Sequence, residues 1–181
     1  MNLPNRLSIL RVLLIPVCLG LMYVGTPLFN WLALVVFLIA SFTDFLDGHI
    51  ARSRNLITDF GKFVDPLADK LLVLCTLILL AAQGKIPAWM VILVLAREMA
   101  VDGLRMVASL QGKVIAAGPL GKIKTVTQMI AISFTMIDNW PFGSIPVKEI
   151  MSYIMVIMAL WSGVDYFVKN RSVLLAGEAQ K

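Results

Sequence analysis

The stretch DFLDGHIARSRNLITDFGKFVDPLADK, Asp44 to Lys70, sets four carboxylates, Asp44, Asp47, Asp65 and Asp69, between two strongly apolar segments. On a helix, Asp44 and Asp47 at i, i+3 share a face, and so do Asp65 and Asp69 at i, i+4. Ionised side chains at the edge of an apolar run are costly, so four in matched pairs call for a partner that offsets the cost.

The flanking composition sets the solvent. Of 181 residues, 59% are hydrophobic and 15% charged, and the mean hydropathy is +0.86. A soluble domain is about half apolar and about a quarter charged, so the expected fold is an all-α integral membrane bundle forming one domain over residues 1–181. A helix needs about 20 mostly apolar residues to cross a bilayer. Six stretches qualify, 7–24, 29–49, 61–83, 87–108, 121–138 and 149–168, separated by Gly25 and Pro27, Gly84 and Pro87, Gly118 and Pro119, and Pro141, Gly143 and Pro146. Barrel strands would alternate over about ten residues, which these runs do not. Arg6 and Arg11 before the first run resemble a signal peptide's start, but no small-x-small pattern follows, and an uncleaved first helix is expected. Cys18 and Cys75 lie far apart in apolar runs, which argues against a disulfide framework or a zinc site.

Lysines and arginines orient the bundle. With both termini and the 2–3 and 4–5 connections on one side, that side carries Arg6, Arg11, Arg52, Arg54, Lys62, Arg105, Lys113, Lys122, Lys124, Lys169, Arg171 and Lys181, against Lys85 and Lys148 on the other. This asymmetry predicts cytoplasmic termini and a cytoplasmic aspartate stretch in the cell membrane. The net charge of +5 then reflects topology and anionic headgroups rather than a nucleic-acid partner.

A connection from Gly48 to Lys62 would let the ends of the second and third helices lie side by side, so that the four carboxylates converge. Clustered carboxylates raise one another's pKa values unless cations intervene. All-oxygen ligands suit hard ions such as Mg²⁺ or Mn²⁺, and two ions on shared carboxylates can clamp phosphoryl oxygens. Arg52 offers charge-assisted hydrogen bonds to a phosphate, and the small residues Gly48 and Ala51 leave a ligand room near the backbone. Gly48, Ala51, Gly61 and Ala68 are also expected to let helices approach closely.

In full, the pattern is Asp44-xx-Asp47-Gly48-xx-Ala51-Arg52, eight residues, then Gly61-xxx-Asp65-xxx-Asp69. It closely resembles the signature DxxDGxxARx8GxxxDxxxD of the CDP-alcohol phosphotransferase family. The resemblance implies transfer of the substituted phosphate of a CDP-linked donor, usually CDP-diacylglycerol, to an acceptor hydroxyl with release of CMP. It implies a two-metal centre held by Asp44, Asp47, Asp65 and Asp69, with Asp69 as the general base. It places Asp44, Asp47, Gly48, Ala51, Arg52 and Gly61 at the CDP and diphosphate site, and it implies a homodimer. An interfacial site suits such a substrate, whose tail stays in lipid while CDP stays in water.

NLPNRLSILR (2–11), AREMAVDGLR (96–105) and GPLGKIKTVTQ (118–128) resemble segments of the bacterial phosphatidylglycerophosphate synthase branch. That implies sn-glycerol 3-phosphate as acceptor, with Arg105, Lys122, Lys124 and Arg171 as candidates for its phosphate; cytoplasmic charge alone is the rival explanation for these four. Inositol phosphate or serine are alternative acceptors. Arg97, Glu98 and Asp102 fall inside a helix and either shape the acceptor pocket or form a buried ion-pair network. Asn5 could cap the first helix or reach toward the nucleotide, although an interfacial residue before that helix needs neither role; His49 is a spacer within the motif, and Trp31, Trp89, Trp140 and Trp161 suit an interfacial belt. A cation transporter would spread its carboxylates near the midplane, and a membrane prenyltransferase would show two separate Asp-rich motifs. Neither matches one composite motif beside Arg52.

Overall fold

The computed structural model describes the backbone of residues 3–53, 59–113, 115–116, 118–140, 142–143 and 145–175, and side chains over 7–43, 67–68, 70–113, 115–116, 118–140, 142–143 and 145–173. The described secondary structure is helical: α1 (Leu3–Val24), α2 (Pro27–Ser53), α3 (Asp59–Ala82), α4 (Ala88–Leu110), α5 (Pro119–Met136), α6 (Val147–Lys169) and the short α7 (Arg171–Leu175). Proline marks the starts: α2 and α5 begin on Pro27 and Pro119, and Pro87 and Pro146 cap α4 and α6. Proline's fixed φ and missing N–H cost little there.

The helices divide into two compact units, Met1–Lys85 with Thr135–Trp140, and Ile86–Phe134 with Pro141–Lys181. In the first, α1 buries Ser8, Arg11, Ile15, Cys18 and Met22, a row at helical spacing, against α2 and α3. Small buried residues, Ala33 and Ala40 on α2 and Ala68 on α3, let the helix backbones approach closely. The Cys18 thiol donates to the Ala33 carbonyl at 3.5 Å, and Gln83 Nε2 donates to the Met22 carbonyl at 2.7 Å. The C-terminal ends of α1 and α3 therefore meet, α1 and α3 run parallel, and α2 returns antiparallel to both. Gly84 ends α3 at φ 71°, with its own N–H on Ala81 O and that of Lys85 on Leu80 O, a Schellman closure that needs a left-handed residue.

In the second unit α4 packs on α6, and Val101, Leu104, Ala108, Tyr166 and Val173 form a core cluster. Gln111 Nε2 donates to the Val173 carbonyl at 2.9 Å and ties α7 to the end of α4.

Two described helical segments are long and apolar enough to cross a membrane, Leu7–Val24 at mean hydropathy 2.2 and Val147–Lys169 at 1.5. The described apolar parts of α2 (Pro27–Thr43) and α3 (Lys70–Ala82) are shorter. Exposed large apolar side chains recur along α1, α2, α4 and α6, such as Leu13, Leu28, Ile92 and Val164, each more than 60% exposed. Water would not tolerate so continuous an apolar surface, and a membrane-associated chain presents one.

The expected connection from Gly48 to Lys62 is corrected. Gly48 to Ser53 belong to α2 and Asp59 to Lys62 to α3, because hydropathy marks where an apolar run ends and not where the backbone stops being helical.

Candidate active site

α2 carries Asp44, Asp47, Gly48, Ala51 and Arg52, and α3 carries Gly61, Asp65 and Asp69. Their side chains, with those of Asn5 and His49, lie outside the described residues. Backbone register alone sets each aspartate pair on one helix face. Six residue steps join Ser53 to Asp59 and span at most about 22 Å, so the antiparallel helices hold both pairs at one end of the first unit. That end is opposite the Gln83–Met22 tie. The donor set is purely oxygen, which fits Mg²⁺ or Mn²⁺ better than softer metals. Among the described residues, no group of three or more His, Cys, Asp or Glu could hold a metal ion.

Arg11 was counted above with the cytoplasmic charges. It is fully buried in α1. Helical spacing could have revealed this, because Arg11 lies on the same row as Ile15, Cys18 and Met22.

The second unit holds a polar cluster inside its helices. Arg97 Nη1 lies 3.0 Å from Glu98 Oε1, and Arg97 Nη2 donates to Ser162 Oγ at 3.0 Å. Lys124 Nζ pairs with the same Glu98 oxygen. Glu98, Lys124, Ser162 and Gln128 are all buried, and neither Gln128 Nε2 nor Arg97 Nε has a hydrogen-bond partner among the described residues. Two cations thus share one carboxylate across α4 and α5, with α6 contributing a hydroxyl. Of the two readings of Arg97 and Glu98, the ion-pair network is the one observed.

The four expected phosphate-binding cations are placed differently from one another. Lys124 turns inward to Glu98. Arg105 Nε donates to Tyr166 Oη at 3.0 Å, and the guanidinium stands 5.3 Å from the Tyr166 ring centre. Lys122 on α5 and Arg171 on α7 are exposed. Tyr166, Ser162 and Gln128 were missed by sequence reading. Their signal was polarity within apolar helices, with Gln128 four residues beyond Lys124 and on its face.

The chain matches the family model described as CDP-alcohol phosphatidyltransferase over residues 1–161. It belongs to that family. Relatives named CDP-diacylglycerol–glycerol-3-phosphate 3-phosphatidyltransferase include a Bacillus subtilis protein, 44% identical over 96% of this chain and 97% of its own. A Rickettsia typhi protein of that name is 41% identical over 92% of this chain and 95% of its own. An Arabidopsis thaliana protein, the second of that name, is 36% identical over 96% and 82%. The match to the CDP-alcohol phosphatidyltransferase model takes in the whole aspartate motif, the Arg97–Glu98–Lys124 cluster, Arg105 and Lys122. Arg171 lies beyond it.

Proposed function

We propose that this protein transfers the phosphatidyl group of CDP-diacylglycerol to sn-glycerol 3-phosphate, forming phosphatidylglycerol phosphate and CMP. The observation that carries the reading is the placement of the whole motif on α2 and α3, with both aspartate pairs at one end of an antiparallel pair of helices. Near-full-length relatives named for this reaction support the same acceptor.

The acceptor hydroxyl oxygen attacks the phosphatidyl phosphorus, the bond from that phosphorus to the CMP oxygen breaks, and CMP leaves. Asp69 takes the hydroxyl proton. Asp44, Asp47, Asp65 and Asp69 would hold Mg²⁺ or Mn²⁺, and the ions would neutralise charge on the diphosphate. Gly48, Ala51, Arg52 and Gly61 line the CDP and diphosphate site. Arg105, Lys122, Lys124 and Arg171 are the proposed acceptor-phosphate ligands. Because Lys124 is already paired with Glu98, its contribution is shared with that carboxylate, whereas Lys122 is exposed.

The same reading makes the chain a homodimeric, six-span protein of the cell membrane with cytoplasmic termini and active site. The charge asymmetry of its loops and the exposed apolar helix faces support the topology.

The test is CMP release by purified protein in detergent with CDP-diacylglycerol, a divalent cation and one acceptor at a time. Release with glycerol 3-phosphate is expected. Release only with serine or inositol phosphate would overturn the acceptor, and no release with any acceptor from folded protein would overturn the reaction.

A further inference from the structure

The end of the first unit opposite the aspartates holds a cavity of about 370 Å³ whose walls include Asn30, Trp31, Lys85, Asp138 and Trp140. At a helical rise of about 1.5 Å per residue, the fourteen steps from Asn30 to Asp44 put it about 20 Å along α2 from the motif. It is therefore no part of the transfer site. Its size is at the lower end of the range for ligand pockets, about 300–1,000 Å³.

The lining is chemically selective. The Trp31 and Trp140 rings meet edge to face, with centres 5.1 Å apart and planes at 83°. Asn30 is buried on the wall. After α5 the backbone takes positive φ at two successive non-glycine residues, Asp138 (50°) and Asn139 (70°). This turn carries Asp138 and Trp140 to the cavity wall, at a cost that Asp and Asn bear better than other residues. Lys85, just past the Gly84 closure, is the one lysine of the wall among the described residues. Ammonium, indole N–H and amide N–H groups donate to phosphate oxygens, while the Asp138 carboxylate and the Asn30 carbonyl accept from hydroxyls.

An exposed apolar track begins beside the cavity. Leu28, Leu32, Val35, Ile39 and Phe42 follow one face of α2 at helical spacing, and all are exposed. A polar pocket at one end of an apolar stripe matches an amphiphile whose headgroup and chains need opposite surroundings.

We propose that this cavity binds the glycerophosphate headgroup of an anionic phospholipid, whose acyl chains lie along the exposed stripe of α2. Lys85 pairs with the phosphate, the two tryptophans pack on the glycerol backbone, and Asp138 and Asn30 receive the headgroup hydroxyls. A choline headgroup would also suit the rings and Asp138, but Lys85 repels it. The proposal rests on the bilayer setting and not on the transfer reaction, so CMP release measured on the same samples separates failure of one from failure of the other.

Substituting Trp89→Phe and Trp161→Phe leaves Trp31 and Trp140 as the only indoles of the original 4. This protein is reconstituted in phosphatidylcholine vesicles containing a fixed fraction of brominated-chain phosphatidylglycerol or brominated-chain phosphatidylcholine, and tryptophan quenching is compared. The brominated anionic lipid is expected to quench at several-fold lower mole fraction. Lys85→Gln should cut that preference about five-fold, the worth of one lysine near an anionic lipid, and Lys85→Arg should retain it. If Lys85→Gln does not elute as folded protein, Asn30→Asp, which adds an anion to the wall, should lower the preference instead. Equal quenching by the two lipids, or stronger quenching by the choline lipid, overturns the proposal. Relief of quenching by millimolar soluble glycerol phosphate overturns its lipid part, because the cavity would then take the free ester.

Discussion

A β-carbon on Gly163 would lie 3.0 Å from Cγ of Arg97. The stem of Arg97 therefore runs against bare backbone of α6, and its guanidinium reaches Ser162 and Glu98 from there. Gly163→Ala should push the stem away and loosen both contacts. Overpacking of this kind costs about 1–3 kcal/mol, visible as a lower melting temperature in detergent. An unchanged melting temperature would show that Arg97 can shift without losing its partners.

Lys124 lends itself to separating support from binding. Lys124→Met leaves Glu98 with Arg97 alone, and breaking a buried pair costs about 3–5 kcal/mol, less here because one partner remains. Adding Glu98→Gln removes the stranded carboxylate and should recover much of that stability. If Lys124 also binds acceptor phosphate, the double variant stays defective in glycerol 3-phosphate KM. A normal KM in that stable double variant removes Lys124 from the acceptor site.

Lys122 is exposed one helical turn before Val126 on α5. Lys122→Ala should raise the glycerol 3-phosphate KM about ten-fold, or about 1.4 kcal/mol, with kcat little changed. Steady-state kinetics at saturating CDP-diacylglycerol read this directly. An effect on kcat alone would place Lys122 elsewhere in the mechanism.

Chelation by EDTA should abolish CMP release, and added Mg²⁺ or Mn²⁺ should restore it. Asp65→Asn should lose release in every cation while melting normally. Full activity after exhaustive chelation would falsify the metal reading of the four aspartates.

The helix starts were legible because proline announces them: Pro27, Pro87, Pro119 and Pro146 all stand at or just before a first turn. The ends were less so. Residues from Gly48 to Ser53 and from Asp59 to Lys62 are helical beyond the limits of the apolar runs. The five residues of α7 offered too short a period to detect. At the site, the aspartate spacing was readable because it is local. The distant partners of Glu98 and Arg97 were not, since Lys124 and Ser162 are remote in the chain and meet Glu98 and Arg97, respectively, only through packing. Arg11 shows the same limit. Counting its charge put it with the loops, whereas helical phase puts it among buried neighbours.

The bond from Gln83 to the Met22 carbonyl makes α3 a ruler. One end of that rod is pinned to α1 by an amide, and the other carries Asp65 and Asp69. A single residue inserted between them would advance the aspartates about 1.5 Å and turn them about 100°, unless the amide let go of the Met22 carbonyl. The length of α3 between its two tasks is thereby as constrained as the motif itself, although no residue along that interval need be chemically special.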